Sequence, residues 1–408
     1  MPEEKQTIGN VLRYPFGVSA IIVTALGVTS SSPARAVSPK TEATNYSERL
    51  IDVGIVEDSL RSNDIETAFD SARRISETGA DSVRMTAQWV TGQTSPSEKD
   101  LEALKNGAAA AEAYGLEIML SAYPCSYLDC PDNTSPANTW ERGKFQNWLA
   151  FLAYHLPEID HFIIGNECNS TDFWRPQFMA NGKDAAALAC YKLQAASYDV
   201  LKKAAAARGH DINVWGFGLA GGGTQTASAF IRNIDKAYRS SGRQKPIMDG
   251  FVIHPYGENS SQPPTQRRGG GKIGVADYDL LMNELKTAFD GTAQPWRNLP
   301  IIYGEYGVQT KIPPAKSRHY SGVEGISTKP VEASVQEEFY IKAMGAVACS
   351  QPNVVKFNLF LLDDESRLKG WQSGINYSDQ SPKQSAQGVK QAILDARTGR
   401  LICELPKK

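Results

Sequence analysis

FIIGNE (residues 162–167) is an apolar run that breaks at a glycine and brings a glutamate within two residues, and IIYGEY (residues 301–306) repeats this form. A buried parallel strand reads as a near-continuous apolar run. In an α/β barrel, catalytic groups lie at the carboxyl ends of such strands. The two stretches therefore predict two parallel strands that bring Glu167 and Glu305 to one end of a barrel.

The rest of the chain continues this alternation of strands and helices. Strand-like runs lie at 50–56, 82–85, 116–121, 161–164, 212–217, 248–253, 300–303 and 354–361. Helical patterns lie at 64–77, 98–114, 140–156, 184–207, 226–240, 277–289, 334–348 and 385–397. Alternating strands and helices predict a parallel sheet with helical crossovers. Eight pairs favour a closed (β/α)8 TIM barrel, with an open doubly wound sheet as the alternative.

Two predicted loops are unusually long for connections between a strand and the following helix. Residues 257–273 are rich in Gly, Ser and Arg, and residues 309–329 are rich in Pro, Ser and Lys. Long ordered loops at this end of a barrel tend to shape binding sites. We therefore expect both to border the site.

Composition indicates an ordinary globular protein. The 408 residues carry a net charge of −2 and are 41% hydrophobic, which is ample for a large core. An α/β barrel can use this length as one domain. Nucleic-acid binding usually requires strong basic clustering, which a nearly neutral balance does not indicate.

The N-terminus has the form of a secretory signal peptide. Lys5 and Arg13 precede an apolar stretch at 18–28, and residues 34–36 read Ala-Arg-Ala, a cleavage pattern. We predict a signal peptide at 1–36, a polar linker at 37–47 and a single catalytic domain at 48–408. An uncleaved anchor is the alternative, but the apolar stretch is short for a membrane span. We expect secretion, with no stable membrane association after cleavage.

Six cysteines lie after the predicted signal peptide, and an even number in an exported protein favours disulfides. One pair could close a single loop, a second could join the last helices, and a third would complete the set: Cys125 with Cys130, Cys349 with Cys403, and Cys168 with Cys190. Connectivity does not follow from sequence. A zinc site is the alternative, although no C-x2-C pair is present.

Two carboxylates at a barrel mouth are the minimal equipment for glycoside hydrolysis, one as acid/base and one as nucleophile. One must be protonated to donate to the leaving oxygen, and the other must be ionised to attack the anomeric carbon. Spacing alone offers four acidic clusters at strand ends: residues 57–58, Glu167, Glu305 and residues 363–365. The choice between them requires a further criterion.

That criterion is a resemblance to clan A glycoside hydrolases, of which the cellulase-like family 5 enzymes are the nearest type. It rests on Asn166-Glu167, His254-Pro255-Tyr256 and Gly304-Glu305-Tyr306, supported by GWQSG (370–374) and DQSPK (379–383). The likeness spans most of the mature chain. It implies that Glu167 is the acid/base and that Glu305 is the nucleophile.

The resemblance also implies four supporting roles. Asn166 would bind the sugar 2-hydroxyl, Tyr256 would hydrogen-bond the nucleophile, and His254 would line the same subsite. Arg84 would face the nucleophile and keep it ionised, since an adjacent cation favours the charged form. A structural ion pair at the surface is the alternative for Arg84.

The chain departs from the family pattern in two places, which affects the expected sugar specificity. The end of the third strand reads Ser121-Ala122-Tyr123, where many members carry a histidine. Trp371 lies about ten residues beyond the eighth strand rather than directly on its end.

Aromatic side chains near the predicted loops are candidate sugar platforms, because sugar rings present apolar C–H faces. The candidates are Trp89, Tyr123, Trp174, Tyr256 and Trp371. Most aromatic residues in proteins serve packing instead. We expect Trp371 and Trp89 to contact sugar, with Tyr123 also in the subsite.

The sequence predicts a secreted retaining glycoside hydrolase that acts on O-glycosidic, β-linked oligo- or polysaccharides and needs no metal or organic cofactor. One alternative is an inactive carbohydrate-binding barrel. Another is an NAD-dependent oxidoreductase, because GFGLAG (216–221) matches the dinucleotide fingerprint after a strand and before a helix. A tight glycine turn explains the same motif without a nucleotide.

Overall fold

Eight parallel strands close into a barrel in chain order, and helices alternate with them. This computed structural model describes residues 46–325 and 328–403. The first strand pairs with both the second and the eighth, which closes the barrel. The predicted (β/α)8 fold is confirmed, and the open-sheet alternative is wrong. The predicted signal peptide (1–36) and most of the predicted linker (37–47) lie outside the described residues.

The strands are β1 (Asp52–Val56), β2 (Ser82–Trp89), β3 (Glu117–Pro124), β4 (His161–Ile164), β5 (Asn213–Ala220), β6 (Gly250–His254), β7 (Ile301–Tyr306) and β8 (Val354–Phe360). The helices are α1 (Ile65–Ser76), α2 (Glu98–Ala113), α3 (Thr139–His155), α4 (Ala186–Arg208), α5 (Ala227–Ser241), α6 (Tyr278–Phe289), α7 (Ala333–Ser350) and α8 (Ala386–Arg397). Several strands run further toward their carboxyl ends than their apolar runs predict, so Glu305 lies within β7 rather than after it.

Helix starts follow capping chemistry. Four helices begin after a residue whose side chain accepts a hydrogen bond from a first-turn backbone N–H: Asp64, Ser97, Asn138 and Thr226. Such a cap contributes about 1 kcal/mol of stability. These polar residues therefore fix where α1, α2, α3 and α5 begin.

The barrel interior contains a small apolar cluster with one residue from each of five consecutive strands: Met119, Ile163, Trp215, Val252 and Ile302. Gly250 lies against the Trp215 ring, where a Cβ atom would collide with the indole. A much larger cluster fills the space between the strands and the helices. The site residues therefore stand on strands that are buried on both faces.

The six cysteines form three disulfides: Cys125–Cys130, Cys168–Cys190 and Cys349–Cys403. The first closes the loop after β3, the second ties the loop after β4 to α4, and the third ties α7 to the C-terminal segment. The predicted disulfides are confirmed, and the zinc alternative is wrong because every cysteine is paired. Within the described ranges, no helix is both long and apolar enough to cross a membrane.

Candidate active site

A cavity of about 680 Å³ opens at the carboxyl ends of the strands. This volume lies within the range of typical small-molecule sites. The cavity brings together every predicted site residue except Trp89: Arg84, Tyr123, Asn166, Glu167, His254, Tyr256, Glu305 and Trp371. Residues from six different strands or their following loops thus meet at one mouth.

Glu167 occupies an unusual backbone conformation just after β4. Its φ is +44°, in the left-handed region that non-glycine residues rarely adopt, and Gly165 before it has φ +88°. Its N–H donates to Gly218 O at 2.7 Å, and its carbonyl accepts from Ser170 N at 2.7 Å. Such strain costs of the order of 1 kcal/mol and persists where its surroundings hold it, often at functional sites. Here it accompanies the turn that carries Glu167 into the cavity.

Arg84 is the centre of a buried hydrogen-bond network. Its Nη1 contacts Glu305 Oε1, and its Nη2 donates to Ser121 Oγ at 3.0 Å and to Asn166 Oδ1 at 2.8 Å. Its side chain is only 2% exposed. Tyr256 donates to the other oxygen of Glu305 at 3.0 Å. The surface alternative for Arg84 therefore does not hold, since its guanidinium joins four strands inside the mouth.

The charge of Glu305 is set by opposing effects. Burial raises the pKa of this carboxyl, but the His254 and Arg84 charges and the hydrogen bonds from Arg84 and Tyr256 outweigh burial and bring its pKa below the usual value. Burial and the two neighbouring glutamates hold the pKa of Tyr256 well above its usual range. Tyr256 therefore remains a donor to an ionised Glu305.

His254 links the two glutamates. Its Nδ1 lies 2.9 Å from Glu167 Oε1 and 3.6 Å from Glu305 Oε2. The ring is fully buried, and Nε2 has no hydrogen-bond partner in the described part of the chain. Gly304 lies against this side of the ring, and a Cβ atom there would come within 3.1 Å of Nε2. The network therefore assigns a proton to Nδ1, facing the carboxylates.

The three side chains also have the composition of a metal site, since one ligand atom from each of Glu167, His254 and Glu305 lies within 4.8 Å of the others. The hydrogen-bond donors around Glu305 disfavour metal binding by its carboxylate. Both of its oxygens already accept hydrogen bonds, from Arg84 and Tyr256, and a guanidinium in direct contact disfavours a second cation. The geometry suits a stabilised carboxylate better than a metal ligand.

The acidic cluster after β1 ties two loops together. Glu57 accepts from Ser59 N at 3.0 Å and from Leu362 N at 3.2 Å. Burial raises the pKa of Glu57 to about 7, and nearby Asp363 also raises it. Asp58 accepts from Thr86 N at 2.7 Å. Both carboxyl groups line the cavity, but their hydrogen bonds serve its walls.

The acidic cluster after β8 is similarly engaged. Asp363 pairs with Arg74 at 2.5 Å, and Asp364 pairs with the fully buried Lys383 at 2.7 Å. Asp364 also accepts from Tyr320 at 2.8 Å and from Gly374 N at 2.9 Å. These contacts fix the long segment that carries Trp371. All four acidic clusters line the cavity, and Glu167 and Glu305 are the two that His254 brings together.

Trp371 reaches the cavity although it lies well beyond β8. Its ring tilts onto Tyr256 with centroids 4.9 Å apart and meets Phe360 edge-on at 5.2 Å. Tyr123 lines the opposite wall and packs edge-on against Phe173 at 6.0 Å. Both therefore present aromatic rings to the cavity.

Trp89 does not line the cavity, which corrects the expectation that it contacts sugar. Because β2 continues past Met85, Trp89 ends the strand and turns into the core between strand and helix. It is fully buried against Phe145 of α3, with centroids 5.8 Å apart, and its indole N–H donates to Gln93 O. Trp174 is likewise buried.

The cavity also contains residues that the sequence did not single out, including Phe173, Gly222, Arg268 and Phe360. Arg268 comes from the long loop at 257–273, so that loop does shape the cavity as expected. The other long loop, at 309–329, contributes no described residue to the lining.

The G-x-G-x-x-G stretch serves strand packing. Residues 216–220 complete β5, and α5 begins only at Ala227. The register with β6 shifts between Gly216 and Leu219. A Cβ atom at Gly218 would lie 3.2 Å from Gly165 O, and one at Gly221 would collide with Ile273 O. Because the dinucleotide fingerprint opens a helix directly after its strand, the nucleotide interpretation does not fit here.

No family model matches the sequence, and no curated protein matches it. Solved structures do match. A family 39 glycoside hydrolase from Bacteroides cellulosilyticus shares 17% identity at a TM-score of 0.56, and the match covers 86% of this chain and 65% of that one. This chain therefore spans slightly less than two thirds of that protein.

Two further structures are matched over more of their length. A GH5_18 protein from Streptomyces cattleya, solved in complex with GlcNAc, shares 14% identity at a TM-score of 0.57, with 87% of this chain and 83% of that one covered. A β-glucosidase from Exiguobacterium marinum shares 13% identity at 0.54, with 85% and 98% covered. The predicted resemblance to clan A glycoside hydrolases is thus confirmed at the level of the fold.

Proposed function

We propose that the protein is a retaining O-glycoside hydrolase that acts on oligo- or polysaccharides, with Glu305 as nucleophile and Glu167 as acid/base. The proposal rests on the proximity of Glu167 and Glu305, whose nearest carboxylate oxygens lie within 4.8 Å of each other. Retaining enzymes hold their carboxyl groups ~5–5.5 Å apart, whereas inverting enzymes leave ~6.5–9.5 Å for a water. The short separation supports retention.

The two glutamates divide the chemistry. In the first step a Glu305 oxygen attacks the anomeric carbon, the bond to the leaving oxygen breaks, and Glu167 gives that oxygen a proton. In the second step Glu167 takes a proton from water, which attacks the glycosyl ester and releases Glu305. The lowered pKa of Glu305, in which the Arg84 and His254 charges outweigh burial, supports its role as the ionised partner.

Neighbouring side chains have suitable positions for sugar recognition. Asn166 Oδ1 accepts from Arg84, which leaves its amide N–H groups to donate to a sugar hydroxyl. Trp371, braced on Tyr256 and Phe360, offers an apolar ring face. The structures of similar fold, described as a glycoside hydrolase, a β-glucosidase and a GH5_18 protein, support the proposed reaction class.

Secretion is part of the same proposal. Three disulfides suit an oxidising compartment, and the N-terminal pattern predicts an export signal. A β-linked substrate is expected from the resemblance.

The test is sugar release by the mature protein over polysaccharides and aryl glycosides, with Glu305→Gln and Glu167→Gln alongside. Glu332→Gln is the matched control, since Glu332 is an exposed glutamate paired with Lys311. Release by wild type and control, with loss in Glu305→Gln, supports the proposal. Equal activity in Glu305→Gln contradicts the nucleophile assignment and directs attention to residues 363–365. No release on any substrate favours the carbohydrate-binding alternative, which a glycan array would test.

A further inference from the structure

Arg268 is a cation in the cavity wall that the proposed mechanism does not use. It lies in the loop between β6 and α6 and lines the cavity. Its side chain is only 9% exposed. A largely buried guanidinium requires partners, because burying a charge without them is costly.

The hydrogen bonds of Arg268 leave part of its donor capacity unused. Nη2 donates to Glu258 Oε2 at 2.9 Å, while Lys272 donates to the other oxygen of Glu258 at 2.6 Å. One carboxylate is thus shared by two cations. Nε is buried without a partner, and Nη1 forms no hydrogen bond to any residue in the described ranges. The group retains positive charge and a free donor beside the cavity.

The position of Arg268 is fixed by the loop after β5. A Cβ atom on Gly222 would come within 2.8 Å of Arg268 Nη2 and 3.3 Å of Nη1, so the guanidinium lies directly against that glycine. Strand β5 is the neighbour of β4, just after which Glu167 lies, and Glu167 N–H donates to Gly218 O of β5. Arg268 therefore occupies the side of the mouth nearest the proposed acid/base.

The far side of the cavity is lined mainly by acidic residues, of which Asp363 and Asp364 are paired with Arg74 and Lys383, and Asp172 in the loop after β4 lines the cavity as well. The loops after β1 and β8 lie across the barrel from β5 and contribute five acidic residues to the lining: Glu57, Asp58, Asp363, Asp364 and Glu365. An acid/base protonates the leaving oxygen, so the leaving sugar lies on its side of the bond. An anion on that sugar would meet Arg268 rather than the acidic wall.

We propose that Arg268 forms a subsite for an anionic group, a carboxylate or a sulfate, on the sugar that leaves from the Glu167 side. This inference rests on the proposed function for its direction. Guanidinium groups recognise both anions through charge-assisted hydrogen bonds. The bond to Glu258 and the close approach to Gly222 position the group before the ligand arrives.

Binding is measured by calorimetry with three probes: glucose, glucuronate and glucose 6-sulfate. Binding needs no turnover, so its outcome is separate from that of the hydrolysis panel. We expect at least one charged probe to bind about tenfold more tightly than glucose, the lower end for a hydrogen bond to a charged group. Preference for glucuronate indicates a carboxylate ligand, and preference for glucose 6-sulfate indicates a sulfate ester. Equal binding of all three probes would overturn the proposal.

Four variants test whether Arg268 causes the preference for a charged probe over glucose. Arg268→Gln is expected to bring the ratio of affinities close to one, and Arg268→Lys to keep part of it. Arg267→Gln is the matched control, since Arg267 is an exposed arginine of the same loop that pairs with Asp279 and does not line the main cavity, and it should keep the ratio. Glu258→Gln should increase the ratio by removing the competing carboxylate. A preference that survives in Arg268→Gln, with the variant folded by circular dichroism, would contradict the assignment.

Discussion

Tyr256→Phe should make catalysis more sensitive to acid. The substitution deletes one hydroxyl, which donates to Glu305 Oε2 at 3.0 Å, and keeps the ring that packs on Trp371. The lost bond stabilises the ionised form of Glu305. Burial already favours the neutral acid, and fewer donors then oppose it, so the pKa of Glu305 must rise.

The size of the effect follows from the strength of that bond. A hydrogen bond to a charged group contributes about 1.5–3 kcal/mol, and 1.36 kcal/mol is a tenfold change. At pH values below the acidic limbs of the kcat/KM profiles of wild type and Tyr256→Phe, the ionised fraction of Glu305 should be roughly 10- to 100-fold lower in the variant. Above both limbs Glu305 is ionised in each protein, so this loss disappears.

The assay is kcat/KM against pH, which reports ionisations of the free enzyme. Tyr303→Phe is the matched control, because Tyr303 is a buried tyrosine of β7, the strand that carries Glu305, and donates to Gln351 at 2.6 Å away from the cavity. We expect the acidic limb to move to higher pH in Tyr256→Phe and to stay in place in Tyr303→Phe. A ratio of wild type to Tyr256→Phe that does not change with pH would refute the reasoning.

Three further outcomes are expected. Glu167→Gln should lower kcat/KM by ~10²–10⁴ on aryl glycosides with poor leaving groups and much less on activated ones, and an equal loss on both would contradict its acid role. Lys383→Met should destabilise the protein by ~3–5 kcal/mol in urea unfolding, because it leaves Asp364 charged and buried, whereas Lys311→Met breaks an exposed pair and should cost at most ~1 kcal/mol. Glu57 has a folded pKa of about 7, above its usual value of 4.5, so the folded state keeps a proton that the unfolded state releases. The contribution of Glu57 to the free energy of unfolding should therefore fall by roughly 3 kcal/mol as pH rises from 4.5 to 7. Glu57→Gln should remove this pH dependence. The same pH dependence of unfolding in wild type and Glu57→Gln would show that Glu57 does not titrate this way.

The barrel and the pair of Glu167 and Glu305 could be predicted from the sequence because the patterns that mark them are local. An apolar run followed by a glycine marks a buried strand end, and this pattern places Glu167 and Glu305 among four acidic clusters, from which the family resemblance selects them. Strand β4 matches its predicted range because Gly165, with its positive φ, ends the run in sequence and in structure alike.

Other features depended on geometry that no local pattern contains. Polar Thr86 and Gln88 interrupt the apolar pattern of β2, so the sequence places Trp89 in a loop, although its strand carries it into the core. Arg268 reaches the cavity only through the path of its loop, which folds onto Gly222 from a distant part of the chain. Contacts between distant parts of the chain determine where Trp89 and Arg268 lie, and a local sequence pattern does not contain those contacts.

The proposed mechanism depends above all on a covalent bond between Glu305 and sugar. The most direct test incubates the protein with the 2-deoxy-2-fluoro derivative of the glycoside that it cleaves fastest and locates the label by peptide mass spectrometry. We predict one adduct, on the peptide that contains Glu305, and none in Glu305→Gln. A label on residues 363–365, or no label together with an inverted first product, would contradict the account.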